Sequence, residues 1–131
     1  MKNTFLHGII AGILAGLAAC VYNIAYSEAL LVNFSKVINP VGIFSSCISG
    51  CVLASLGYHF FSKWVKSNTD VWFNIIFLGL TFASFVGSFG ASLPKDIESP
   101  ELFAGLSGLL HIFPILFWLA TKPLFKKSEA A

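Results

Sequence analysis

The sequence predicts an all-α membrane protein, a four-transmembrane-helix up-down antiparallel bundle. Three observations lead there. Hydrophobic residues make up 56% of the 131-residue chain and charged residues only 11%, against about 25% charged in soluble domains. Mean hydropathy is +0.83. A soluble domain of this size keeps too much surface to hide so much apolar side chain, so lipid must be part of its solvent. The apolar residues also gather into four runs, Phe5–Tyr26, Pro40–Phe61, Val71–Leu93 and Leu102–Thr121. Each holds about 20 residues, enough at about 1.5 Å per residue to cross a hydrocarbon core of about 30 Å. Finally, the runs are continuous rather than alternating, which excludes barrel strands and leaves helices as the way to satisfy the backbone in lipid. Residues 1–131 read as a single integral membrane domain.

The first span follows Lys2 and resembles a secretory signal. Leu17-Ala18-Ala19-Cys20 resembles a bacterial lipobox, which would make Cys20 the acylated residue after cleavage. The apolar run continues past Cys20 to Tyr26, where a lipoprotein carries a polar tether, and three more spans follow. An uncleaved anchor is therefore expected.

Between the first and second spans, Leu30, Leu31, Phe34, Val37 and Ile38 follow helical spacing, with Glu28, Ser35, Lys36 and Asn39 elsewhere on the wheel. This stretch, residues 27–39, is either a short interfacial amphipathic helix on the outer surface or a continuation of the first span. A tight polar turn containing Lys63, Lys66, Ser67, Asn68, Thr69 and Asp70 joins the second span to the third. Pro94–Pro100 joins the third to the fourth, with Pro100 where a helix start tolerates proline. Connections this short imply antiparallel neighbours.

Lysines set the polarity. All eight basic residues are lysine. Lys2, Lys63, Lys66, Lys122, Lys126 and Lys127 fall on one side, and Lys36 and Lys95 on the other. The positive-inside rule then places both termini in the cytoplasm. Trp64, Trp72 and Trp118 fall near the same boundary, where amphipathic rings favour the interface, and Tyr22 and Tyr26 fall near the other.

Small residues recur every four positions in each span: Gly8, Gly12 and Gly16 running on to Cys20; Gly42, Ser46, Gly50 and Ala54; Gly79, Ala83, Gly87 and Ala91; Ala104 and Gly108. Hydrophobicity cannot drive helices together in lipid, so close backbone approach along small-xxx-small faces holds such bundles. Gly8, Gly12, Gly16, Gly50, Gly79, Gly87 and Gly108 are the expected packing glycines. The first helix's stripe could instead mediate oligomerisation.

Chemistry has few places to reside. The sequence lacks G-x-x-x-x-G-K-[ST], G-x-G-x-x-G, H-E-x-x-H and G-x-S-x-G patterns, and little chain lies outside the spans to build a soluble active site. With no arginine and no basic run beyond Lys126-Lys127, nucleic-acid binding is not expected. Ionisable groups inside a membrane are the default functional candidates. His111 lies midway along the fourth span on the side of Ala104 and Gly108, and is expected to hydrogen-bond a neighbouring helix, with a proton-relay or ligand site as the alternative. Pro114, three residues later, frees the Leu110 carbonyl and should kink the helix. Asn23 and Ser27 extend the first helix's small stripe towards the bundle, and Glu28 sits at the boundary. Cys20, Cys47 and Cys51 fall at depths that could gather near His111. With Asn23 they make a candidate buried polar site that reads as core packing or as a soft-metal or redox centre. His7 and His59 lie near the cytoplasmic boundary, where interfacial placement explains both and haem ligation is an alternative.

The whole chain resembles a family of small four-helix bacterial membrane proteins, a domain-of-unknown-function group. The likeness rests on the glycine- and alanine-rich first helix ending in Asn (Ala11 to Asn23) and on Leu110-His111 in the last span. The resemblance implies the four-helix layout and a bacterial inner membrane, with no activity attached. Lys63 and Lys66 stand where that family often carries arginine, and Pro94 follows the third span rather than lying within it.

The expectation is a non-enzymatic membrane protein, without cofactor or bound metal, acting as an accessory or scaffolding subunit. Its partners would be the lipid bilayer and either further copies of itself or another membrane protein. The rival is a small oligomeric channel or transporter.

Overall fold

The computed structural model describes residues 2–126. Within them the chain is helical, with α1 Lys2–Leu30, α2 Pro40–Trp64, α3 Thr69–Gly87 followed by a 3-10 turn over Ser88–Gly90, α4 Pro100–Leu110 and α5 Ile112–Lys126. Four stretches are long and apolar enough to cross a membrane: Lys2–Leu30, Pro40–Trp64, Thr69–Gly90 and Pro100–Phe125. Lys127, counted in the charge asymmetry, lies outside the described residues.

Local chemistry sets the boundaries. α1 ends at Leu31, which takes the left-handed conformation with φ 53°. Asn39 caps α2, its side-chain oxygen accepting from the Gly42 N–H at 2.6 Å, and Pro40 opens the helix where no N–H is needed. Pro100 plays the same part at the start of α4. The α-helical part of the third span stops at Gly87, short of Leu93; Gly87 and Gly90 each weaken a helix by about 1 kcal/mol relative to alanine.

The fourth span is two helices meeting at His111. Pro114 has no N–H to offer the Leu110 carbonyl, and the chain tightens just before it: the His111 N–H bonds the Gly108 carbonyl at 3.2 Å.

No interfacial helix occupies the connection between α1 and α2, which is a correction to one of the two readings of this stretch. α1 runs on only to Leu30, and Leu31–Asn39 is turn and irregular chain. Helical spacing here reflects burial by a loop instead. Phe34 turns inward to 2% exposure and packs edge-on against Phe103, ring centroids 5.5 Å apart, beside Ile97 and Leu106. Tyr26 donates to the Leu102 carbonyl at 2.8 Å across the same end.

α1 is the spine. Its buried face is His7, Gly8, Ala11, Gly12, Ala15, Gly16 and Ala19, small enough for α2 to approach almost backbone to backbone. A Cβ added at Gly12 would lie 2.7 Å from the Ile48 Cα, and one at Gly8 would lie 2.7 Å from the Cys51 carbonyl oxygen. At Gly16 it would lie 2.5 Å from the Phe44 ring, and at Gly108 2.8 Å from Phe85. The other three packing glycines do not behave this way. A Cβ at Gly50, Gly79 or Gly87 meets nothing within 4 Å, so those positions hold no helix against another. α3 buries only Phe73 and Thr81 of its length, and it stands off from the small-residue face of α2.

Candidate functional site

The standing-off of α3 opens a groove of about 770 Å³ between α2 and α3, floored by the α4–α5 junction. α2 presents its vacant small-residue face to it, Gly42, Ser46, Gly50 and Ala54. Opposite lie Ile76, Leu80 and Ser84 of α3, and the floor is Ser107, Leu110, His111 and Pro114. Near its Trp64 end the groove narrows, because Phe73 reaches across to within 3.6 Å of a Cβ position at Gly57. The lining is mostly apolar with a few polar groups among it, the usual make-up of a ligand pocket, and the volume lies within the common range of about 300–1,000 Å³.

Cys47 and His111 are the ionisable side chains among the described residues lining this groove, and of the two only His111 is basic. It is exposed, and its Nδ1 lies 2.7 Å from the Ser107 carbonyl oxygen. A carbonyl only accepts, so Nδ1 carries the proton and, in the neutral ring, Nε2 is an acceptor. The expected bond to a neighbouring helix is not made. The tightened turn explains the difference: the His111 N–H goes to Gly108 rather than to Ser107, leaving the Ser107 carbonyl for the imidazole above it.

Of the other members of the candidate buried polar site, Cys47 lines the same groove as His111, whereas Cys20, Cys51 and Asn23 do not line it. Cys47 and Cys51 are buried and Cys20 is half-buried, all as free thiols. Cys20 and Cys47 belong to the α1–α2 seam with Ala15, Ala19 and Ile43. Cys20 donates to the Pro40 carbonyl at 3.4 Å and Cys51 to the Pro114 carbonyl at 3.7 Å. Asn23 lines a separate hollow beside the α1–α2 connection with Ser27 and Glu28. Among the described residues, no three His, Cys, Asp or Glu side chains gather as metal ligands.

A second polar region lies where α1 begins and α5 ends, and the sequence reading missed it. His7 is 3% exposed rather than interfacial. Its Nε2 lies 2.9 Å from Thr121 Oγ1 and 3.1 Å from the Trp118 carbonyl. Thr121 spends its own proton on the Phe117 carbonyl at 2.7 Å, so Nε2 is the donor to both. Trp118, expected at the interface with Trp64 and Trp72, is fully buried among Phe73, Phe77, Tyr58 and His7. Trp64 is 90% exposed and Trp72 55%. Alongside, Lys122 pairs with Asp70 at 3.2 Å, bonds Asn74 at 3.2 Å and lies over the Tyr58 ring, whose hydroxyl bonds Asp70. One signal could have found His7: it sits four residues before Ala11 and eight before Ala15, on the small face of α1. These groups bond one another and tie α1, α2, α3 and α5 together, an arrangement that locks helices in register.

Comparison with family models, with curated proteins and with solved structures finds no match to this chain. The groove and the polar lock must speak for themselves.

Proposed function

We propose that the protein is a non-enzymatic, multi-pass protein of a bacterial cytoplasmic membrane that serves as an accessory subunit by holding an apolar guest in the α2–α3 groove. In this reading the helices alternate up and down, with both termini in the cytoplasm. The order of contacts supports the alternation: along α1, Gly8, Gly12 and Gly16 meet Ser55, Ile48 and Phe44, in descending order along α2. The lysine asymmetry supports the polarity.

The observation that carries the functional reading is the groove itself, a vacant small-residue face floored by a histidine. The mostly apolar lining, with a few polar groups among it, suits a small guest. In this reading a guest would enter from lipid, between the two apolar helices that flank the groove.

Photolabelling with a hexadecyl diazirine in proteoliposomes tests this. Label should concentrate on groove residues such as Leu53 and Leu80, and Gly50→Trp, which fills the groove where a Cβ meets open space, should remove the excess. Labelling spread evenly over all lipid-facing positions, and unchanged by Gly50→Trp, would refute the reading.

A further inference from the structure

Resting on the groove as a binding site, we infer that its guest is a neutral, hydroxyl-bearing apolar molecule of the phenol or alcohol type, whose O–H donates to His111 Nε2. The argument begins with the tautomer. Nδ1–H is committed to the Ser107 carbonyl at 2.7 Å, which leaves Nε2 as an acceptor on a ring that is exposed in the groove. Midway along an apolar span, hydrocarbon offers this nitrogen nothing, and an acceptor removed from water without a donor is costly.

A guest that is purely apolar, such as an acyl chain, would leave that cost in place. A phospholipid would keep its polar head at the surface, away from the depth of His111. A donor must come from a molecule whose polar group is small, uncharged and carried within the apolar body. The walls agree with a hydroxyl in particular. Ser46 on α2 and Ser84 on α3 line the same groove on either side, and a hydroxyl can donate to Nε2 while accepting from a serine. An anionic guest finds no cation there, since no lysine lines the groove among the described residues.

The test is competition against the hexadecyl diazirine label by a long-chain alkylphenol and by its O-methyl ether. The ether keeps the body and the acceptor oxygen and loses only the donor. In the parent protein the phenol should compete about five-fold better than the ether, the worth of one ordinary hydrogen bond. His111→Phe should still take up label but show no preference between the two, and His111→Gln, which keeps an acceptor, should retain part of the preference. Because His111 is exposed in the groove rather than packed into the core, both variants should fold. Equal competition in the parent, or a preference that survives in His111→Phe, overturns the inference and leaves the groove reading standing. Failure of the diazirine to label the groove at all removes both.

Discussion

Replacing single glycines by alanine separates the seam that holds the bundle from the stripe that faces empty space. At Gly12 the added methyl would lie 2.7 Å from the Ile48 Cα and 3.2 Å from the Cys47 carbonyl oxygen. Carbon atoms rest at about 3.5–4.0 Å, and neither neighbour is the movable tip of a side chain. α1 and α2 must therefore part by about 1 Å locally, loosening Ala11 and Ala15, which are fully buried. Overpacking of this kind costs about 1–3 kcal/mol. Alanine's better helix propensity returns about 1 kcal/mol, for a net loss of about 0–2 kcal/mol. At Gly16 the nearest atoms belong to the Phe44 ring, which can turn, so the loss should be smaller. At Gly50 nothing lies within 4 Å and only the propensity gain remains. Thermal unfolding in mild detergent should rank Gly12→Ala lowest by several degrees, Gly16→Ala next, and Gly50→Ala level with the parent or above it. If Gly12→Ala and Gly50→Ala melt together, the close approach of α1 and α2 is not what holds the bundle.

Two further substitutions probe the ends. His7→Leu should lower stability by about 1–3 kcal/mol in the same melting assay, because it strips the buried Trp118 carbonyl and Thr121 hydroxyl of their shared donor; Thr121→Val should cost less. The Lys36–Asp96 pair, 2.5 Å apart with both side chains well exposed, should contribute little, so Asp96→Asn should leave the melting temperature unchanged. The hydrogen bond from Lys36 holds the Asp96 carboxyl below its ordinary value of 3.8. Whatever this pair adds is thus present above that value and fades as pH falls below it, a change to be read as local loosening of the α3–α4 connection by hydrogen exchange.

Composition and span length announced the four apolar helices, because the requirement that lipid imposes is one of length and hydrophobicity alone. Faces were harder. Gly8, Gly12 and Gly16 lie on a tight seam and Gly50 on a vacant one, yet both stripes carry the same spacing. Periodicity says which residues share a side of a helix, and not which side a neighbour covers. The groove was therefore invisible, as was the orientation of His111 into it. His7 and Trp118 were misplaced for a related reason: position near a span's end suggests the interface, whereas the aromatic cluster and the Thr121 hydroxyl draw both inward. Phe34 made a loop look amphipathic, since one buried aromatic in a short irregular segment imitates helical spacing.

The central claim, a chain that crosses the membrane four times with its ends in the cytoplasm, is tested most directly by site-specific labelling. In a chain with Cys20, Cys47 and Cys51 replaced by alanine, single cysteines can be placed at Ser35, Ser67 and Lys95, which are exposed in the three connections. A membrane-impermeant maleimide added to intact spheroplasts should label Ser35→Cys and Lys95→Cys at once, and Ser67→Cys only after the membrane is opened. Labelling of Ser67→Cys in sealed cells, with Ser35→Cys and Lys95→Cys protected, would invert the orientation; equal labelling of all three would contradict the spanning bundle itself.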